Sequence, residues 1–181
     1  SSKAVFTALR VSIQISKRQR ICMAQFFTTK KILSVIAILV LLFTFLGIWW
    51  SFAPSTFDVR KNALEMAKAQ GHKVVTGYTT TSTLIKVTEL MLHKNGGYLT
   101  NDIMPPGVFM DNIPAWEFGV VEMSRDLALS MRKDFSRSQS QSLENEQLVA
   151  AQPFYNNDSN RWMLPSSESR YEKAIEQLYL Y

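Results

Sequence analysis

Residues 32–50 read ILSVIAILVLLFTFLGIWW, 19 positions without a charged side chain. At a rise of ~1.5 Å per residue this run makes a helix of roughly 28 Å, close to the ~30 Å hydrocarbon core of a bilayer. A single segment in lipid must satisfy its own backbone N–H and C=O groups, which only a helix does. The run therefore predicts one transmembrane helix over Ile32–Trp50, and the rest of the chain is read relative to it.

Charge gives that helix a direction. Residues 1–31 carry Lys3, Arg10, Lys17, Arg18, Arg20, Lys30 and Lys31 and no acid, whereas the remaining residues carry 13 bases and 15 acids. The formal net charge of +5 is thus +7 before the span and −2 from there on. Short flanking segments rich in Lys and Arg stay on the cytoplasmic side, which puts the N-terminus inside and residues 51–181 across the membrane. A basic balance confined to the tail argues against nucleic-acid binding by the outer domain. The only cysteine, Cys22, is on the cytoplasmic side of this scheme, so the outer residues form no disulfide and no thiolate metal site.

The apolar run exceeds the ~7–15 residues of a secretory h-region. Its one small-residue cleavage candidate, Ser51-Phe52-Ala53, precedes Pro54. Lys30 and Lys31 on one side, with Trp49 and Trp50 on the other, instead read as the flanks of an uncleaved anchor. The mixed basic and apolar tail before it fits either an inner-leaflet segment or a solvated one. Met23, shortly before Lys30, reads as a natural start, which makes residues 1–22 non-native. The uncapped pattern at Tyr181 reads as a truncation.

Beyond the span, Ser55 or Thr56 can cap a helix over Phe57–Gln70 that Gly71 ends. Residues 74–82 (VVTGYTTTS) are rich in β-branched side chains and predict a short extended piece before a helix over Thr83–Lys94, closed by Asn95-Gly96-Gly97. Residues 98–115 hold four prolines or glycines together with eight large apolar side chains, which predicts a long irregular loop packed on the domain. A helix over Ala115–Phe135 follows, with Trp116, Val120, Met123, Leu127, Met131 and Phe135 on one face. Residues 136–142 (SRSQSQS) have linker composition, and Ser142 can cap a short helix that Pro153 stops. Residues 154–164 suggest a hairpin around Asn156–Asn160, and Ser166 or Ser167 starts the last helix.

The strings GGYLTNDIMPPGVFMDNIPAWEFG (96–119), DFSRSQSQS (134–142) and LPSSES (164–169) resemble a family of bacterial inner-membrane proteins known as domain of unknown function 2333. The similarity runs from the anchor to Tyr181. It implies a single-pass protein of a Gram-negative inner membrane, with a periplasmic outer domain, and it implies no activity. Members are longer, so this chain resembles the N-terminal part of one. The resemblance also makes the Ser/Gln run part of a recurrent motif, closer to an ordered segment whose side chains bond backbone groups.

Familiar catalytic signatures are missing. No G-x-G-x-x-G, P-loop or G-x-S-x-G pattern occurs, and His72 and His93 lie outside any H-E-x-x-H. Ser130-Met131-Arg132-Lys133 matches S-x-x-K, but the companion K-T-G is absent and Ser130 falls inside a predicted helix. Asp102, Asp111 and Glu117 are the best catalytic candidates, since two carboxyl groups ~5–9 Å apart in a cleft hydrolyse glycans. The simpler reading has Asp102 and Asp111 bonding backbone in turns, and Glu117 complementing a helix dipole. No metal site or cofactor is expected.

The sequence thus predicts a mainly α fold: a basic tail (1–31), a transmembrane helix (32–50), and a small helical periplasmic domain (51–181) with a long packed Pro/Gly loop. The favoured function is a membrane-anchored interaction or structural module whose partners are the lipid bilayer and envelope proteins. Tyr98, Asn101, Asp102, Pro105, Pro106, Phe109, Asp111, Asn112 and Trp116 form the expected partner surface. A cell-wall glycan hydrolase using the loop carboxylates and an accessory subunit of an inner-membrane assembly are the alternatives.

Overall fold

The structure, a computed structural model, describes residues 28–135 and 144–181. The basic tail before Thr28, Cys22 and the Ser/Gln run lie outside the described residues. The chain divides into two units, Ser1–Phe45 and Leu46–Tyr181.

Helix α1, Thr28–Trp50, contains the whole apolar run and is the one described helix long and apolar enough to cross a membrane. Its hydroxyls do not break it. Ser34 and Thr44 donate to the carbonyls of Lys30 and Val40 one turn back, at 2.9 and 2.8 Å, so neither is left unpaired in an apolar setting.

Within the second unit, the described residues are helical or irregular, with no strand. Helix α2 covers Val59–Gln70 and starts later than its first polar candidates, because Asp58 is the residue that caps it, accepting from the Lys61 N–H at 2.7 Å. Gly71, at φ 70°, closes α2 in the left-handed conformation, with the His72 N–H bonding the Ala67 carbonyl.

Helix α3 covers Tyr78–His93, so the expected extended piece is instead largely the first turn of this helix. The β-branched threonines are accommodated by bonding back: Thr83 Oγ1 donates to the Thr79 carbonyl at 2.7 Å, and Thr88 Oγ1 to that of Leu84 at 2.8 Å. Burial of Thr81 and Ile85 then outweighs their strand preference.

Helix α4 covers Asn112–Ser130 and runs into one π turn at Met131–Phe135. It begins three residues before the sequence-predicted start. Pro114 lies in the first turn, where its missing N–H has no intrahelical role. Helix α5 covers Glu146–Tyr155, and its cap is Asn145, whose side chain accepts from the N–H groups of Gln147 and Leu148 at 3.0 and 3.2 Å. Pro153 does not stop α5. It sits in the last turn, and the helix continues to Tyr155.

The expected hairpin after α5 is replaced by turns. Asn157 Nδ2 bonds the Phe154 carbonyl, and the Asn160 N–H bonds Asp158 Oδ1 at 3.0 Å, so asparagine and aspartate side chains supply the partners a ladder would have given. Helix α6 covers Ser167–Leu180 with Ser166 as its cap.

Helices α5 and α6 form the most extensive pair, with α3 and α4 closing the core around them. Leu84, Ile85, Met91, Met131, Leu148, Tyr155, Tyr171 and Leu178 fill it. Each fully buried Leu or Ile contributes about 1.5–3 kcal/mol relative to exposure. A polar link between α3 and α5 crosses this core. Because the Thr88 hydroxyl proton goes to the Leu84 carbonyl, the Tyr155 hydroxyl donates to Thr88 Oγ1, at 2.8 Å.

Candidate functional site

The site is built around the turn after α3. Gly96 and Gly97, at φ 85° and 73°, turn the chain back where only glycine enters without strain, and the Gly97 N–H bonds the Lys94 carbonyl at 2.9 Å. A Cβ on Gly96 would meet the Trp50 ring at 2.7 Å, so the indole lies directly on this glycine. Of the two tryptophans expected as a membrane flank, Trp49 is exposed and Trp50 is half-buried against the loop.

The turn aims Lys94 inward. Its ammonium donates to the Gly97 carbonyl and to Glu117 Oε1, and both side chains of the Lys94–Glu117 pair are out of solvent. The Glu117 carboxylate takes more. The Leu99 N–H reaches both of its oxygens, at 2.9 and 3.1 Å, and the Thr100 N–H reaches Oε2 at 2.7 Å. Thr100 Oγ1 donates to the same oxygen. Glu117 therefore accepts an ammonium, two backbone N–H groups and a hydroxyl, which uses both oxygens.

A second set of bonds ties the next residues to the N-terminal end of α6. Tyr98 OH donates to the Ser159 carbonyl at 3.0 Å, and its ring meets that of Tyr171 edge-on at 5.7 Å. Asn101 Nδ2 donates to the Arg161 carbonyl and to Glu168 Oε2, each at 2.9 Å. Ser167 Oγ donates to the Asp158 carbonyl at 2.7 Å and also reaches that of Arg161 at 3.1 Å. Tyr98 and Tyr171 are buried, and burial raises both phenols above their ordinary range.

The sequence-predicted site residues separate into two groups. Tyr98, Asn101, Pro106 and Glu117 are buried, and Trp116 is partly buried against the core. Asp102, Pro105, Phe109, Asp111 and Asn112 are exposed. Asp102 lies against the Gly107 backbone, close enough that a Cβ there would clash with its carboxylate. Partial burial raises the Asp102 carboxyl, with the charges of Glu117 and Glu168 adding to it and Lys94 opposing. Asp111 stands at the start of α4 and makes no capping bond with its side chain.

This arrangement commits Glu117 to the loop. A general acid or base must come within hydrogen-bond reach of its substrate, and Glu117 is sealed and saturated. The described residues contain no group of three His, Cys, Asp or Glu able to hold a metal. What the site offers outward is apolar. Ile103, Met104, Val108 and Phe109 project from the loop. A groove of about 700 Å³ runs between α3 and α4, lined among others by Leu84, Val87, Trp116, Val120, Met123 and Leu127.

Sequence reasoning does not reach Lys94. A lysine ending a helix reads as a dipole partner, and nothing in its spacing links it to an acid 23 residues on. The one available signal is the glycine pair beside it, since two left-handed residues in succession turn the chain sharply toward whatever precedes them.

No curated protein and no solved structure matches the chain. A family model described as "Uncharacterized protein conserved in bacteria (DUF2333)" matches residues 23–181, which include α1, the Lys94–Glu117 loop and α6. The chain belongs to the DUF2333 family of bacterial proteins.

Proposed function

We propose that this protein is a membrane-anchored interaction module of the bacterial envelope, with α1 spanning the inner membrane, the N-terminus in the cytoplasm and the helical domain in the periplasm. Seven bases and no acid before the span support this orientation. The observation that carries the interaction reading is the apolar groove between α3 and α4, in which Met123 is 72% exposed. Exposed apolar surface of this kind, rimmed by polar residues, suits protein recognition. Of the three carboxylates in the glycan-hydrolase alternative, Glu117 is bonded into the loop, which favours the interaction reading.

The test is a photo-crosslinking residue at Met123 of the full chain in its native membranes, with a second at Leu64, an exposed α2 residue outside the groove. Discrete adducts from position 123, lost when Val120→Glu is added and absent from position 64, are expected. Equal or no adducts at the two positions contradict the reading.

A further inference from the structure

The loop carrying Phe109 has an apolar, exposed tip. Residues 103–110 (IMPPGVFM) contain no charge, and Met104 and Phe109 are 72% and 82% exposed. The loop nevertheless has a defined backbone. The N–H groups of Val108, Phe109 and Met110 bond the carbonyls of Met104, Pro106 and Gly107 at 3.2, 3.0 and 2.9 Å. A segment entering the apolar edge of a bilayer needs this combination, with backbone groups paired internally and apolar side chains outside.

Its neighbours are the last residues of α1. A Cβ on Gly47 would stand 3.6 Å from Pro106 Cβ, and the Trp50 ring lies on Gly96. Gly47 precedes Trp50 by three residues, roughly 4.5 Å along a helix axis. If the apolar run ends at the membrane surface with Trp49 and Trp50, a loop packed on Gly47 lies at the same depth as the aromatic flank.

We propose that Ile103, Met104, Val108 and Phe109 insert into the outer interface of the same bilayer that α1 spans, so that the domain rests on the membrane at two points. This inference rests on the anchor reading above. Its partner is the lipid surface itself, selected by an uncharged apolar tip continuous with the end of an apolar span. Asp102 and Asp111, which bracket the tip, mark where it returns to water.

The test uses the full chain with Cys22→Ser, reconstituted in vesicles of phosphatidylethanolamine and phosphatidylglycerol. A single cysteine at Phe109 or at Ile48 carries a fluorophore, read against nitroxide-bearing lipids and against aqueous iodide. Both positions are exposed, so labelling leaves the core intact. The expected result is a loss of emission at 109 to shallow nitroxide lipids comparable to that at 48, with protection from iodide at both. A probe at 109 that ignores nitroxide lipids and is quenched by iodide, while 48 behaves as membrane-embedded, overturns the inference and leaves the anchor standing. A probe at 48 that is open to iodide overturns the anchor, and the inference with it.

Discussion

Lys94 and Glu117 lie 23 residues apart and form an ion pair whose side chains are 1% and 0% exposed. Taking two charges out of water is costly, and attraction offsets that cost only when the remaining donors and acceptors are also satisfied. Here they are: the ammonium also bonds the Gly97 carbonyl, and the carboxylate takes the Leu99 and Thr100 N–H groups. The pair thus fixes the turn between α3 and the loop, and through Tyr98 and Asn101 it fixes the loop to α6.

Gly96 tests the turn. Gly96→Ala forces a left-handed alanine, at about 1–3 kcal/mol, and drives its Cβ into the Trp50 ring. Gly71→Ala imposes similar strain at φ 70° with nothing within 4 Å. Denaturant unfolding in detergent is expected to show a larger loss for Gly96→Ala than for Gly71→Ala. Equal losses mean that Trp50 does not pack there.

Tyr155→Phe removes the hydroxyl that donates to Thr88 without orphaning a donor, because Thr88 still bonds the Leu84 carbonyl. The expected cost is about 0.5–1.5 kcal/mol. A loss above about 3 kcal/mol in equilibrium unfolding points to repacking of the core and contradicts this simple link.

The buried tyrosines make the fold sensitive to alkali. Burial raises the phenols of Tyr98, Tyr155 and Tyr171, and Tyr179 is pushed up to about 12 by burial and by its bond to the Glu89 carboxylate. Above the ordinary value of 10.0 the unfolded chain releases these protons while the native one keeps them. Stability is therefore full below pH 10 and falls as pH rises beyond it, by up to about 1.4 kcal/mol per unit for each buried tyrosine. Unfolding curves across this range, with tyrosinate absorbance recorded alongside, check it. Tyrosinate forming at pH 10 with stability unchanged contradicts it.

Much of the helical plan is legible in the sequence where a local signal decides it. Gly71 and Ser166 end and begin helices because capping depends on only a few neighbouring residues. The start of α3 is not legible, since its threonines favour strands locally and are held helical by burial and back-bonding. The hairpin reading of 154–164 fails for a related reason: of the two short apolar pieces around the polar stretch, Phe154 and Tyr155 end α5, and the stretch between forms turns closed by Asn157 and Asp158. The loop's ordered character follows from its prolines and apolar content. Which of its residues face inward does not. Tyr98 and Asn101 are held inward by bonds to Ser159, Arg161 and Glu168, at least 60 residues away, while Phe109 is exposed.

The bonds to Glu117 point to a carboxylate that holds the loop rather than one that reacts with a substrate. A double-mutant cycle of Glu117→Gln and Lys94→Met, followed by denaturant unfolding of the full chain in detergent, tests it most directly. Each single change is expected to cost about 3–5 kcal/mol by stranding a buried charge or its partners. The double variant is predicted to cost less than the sum, with a coupling of about 1–3 kcal/mol. Single variants that unfold like the parent, with additive effects in the double, contradict it.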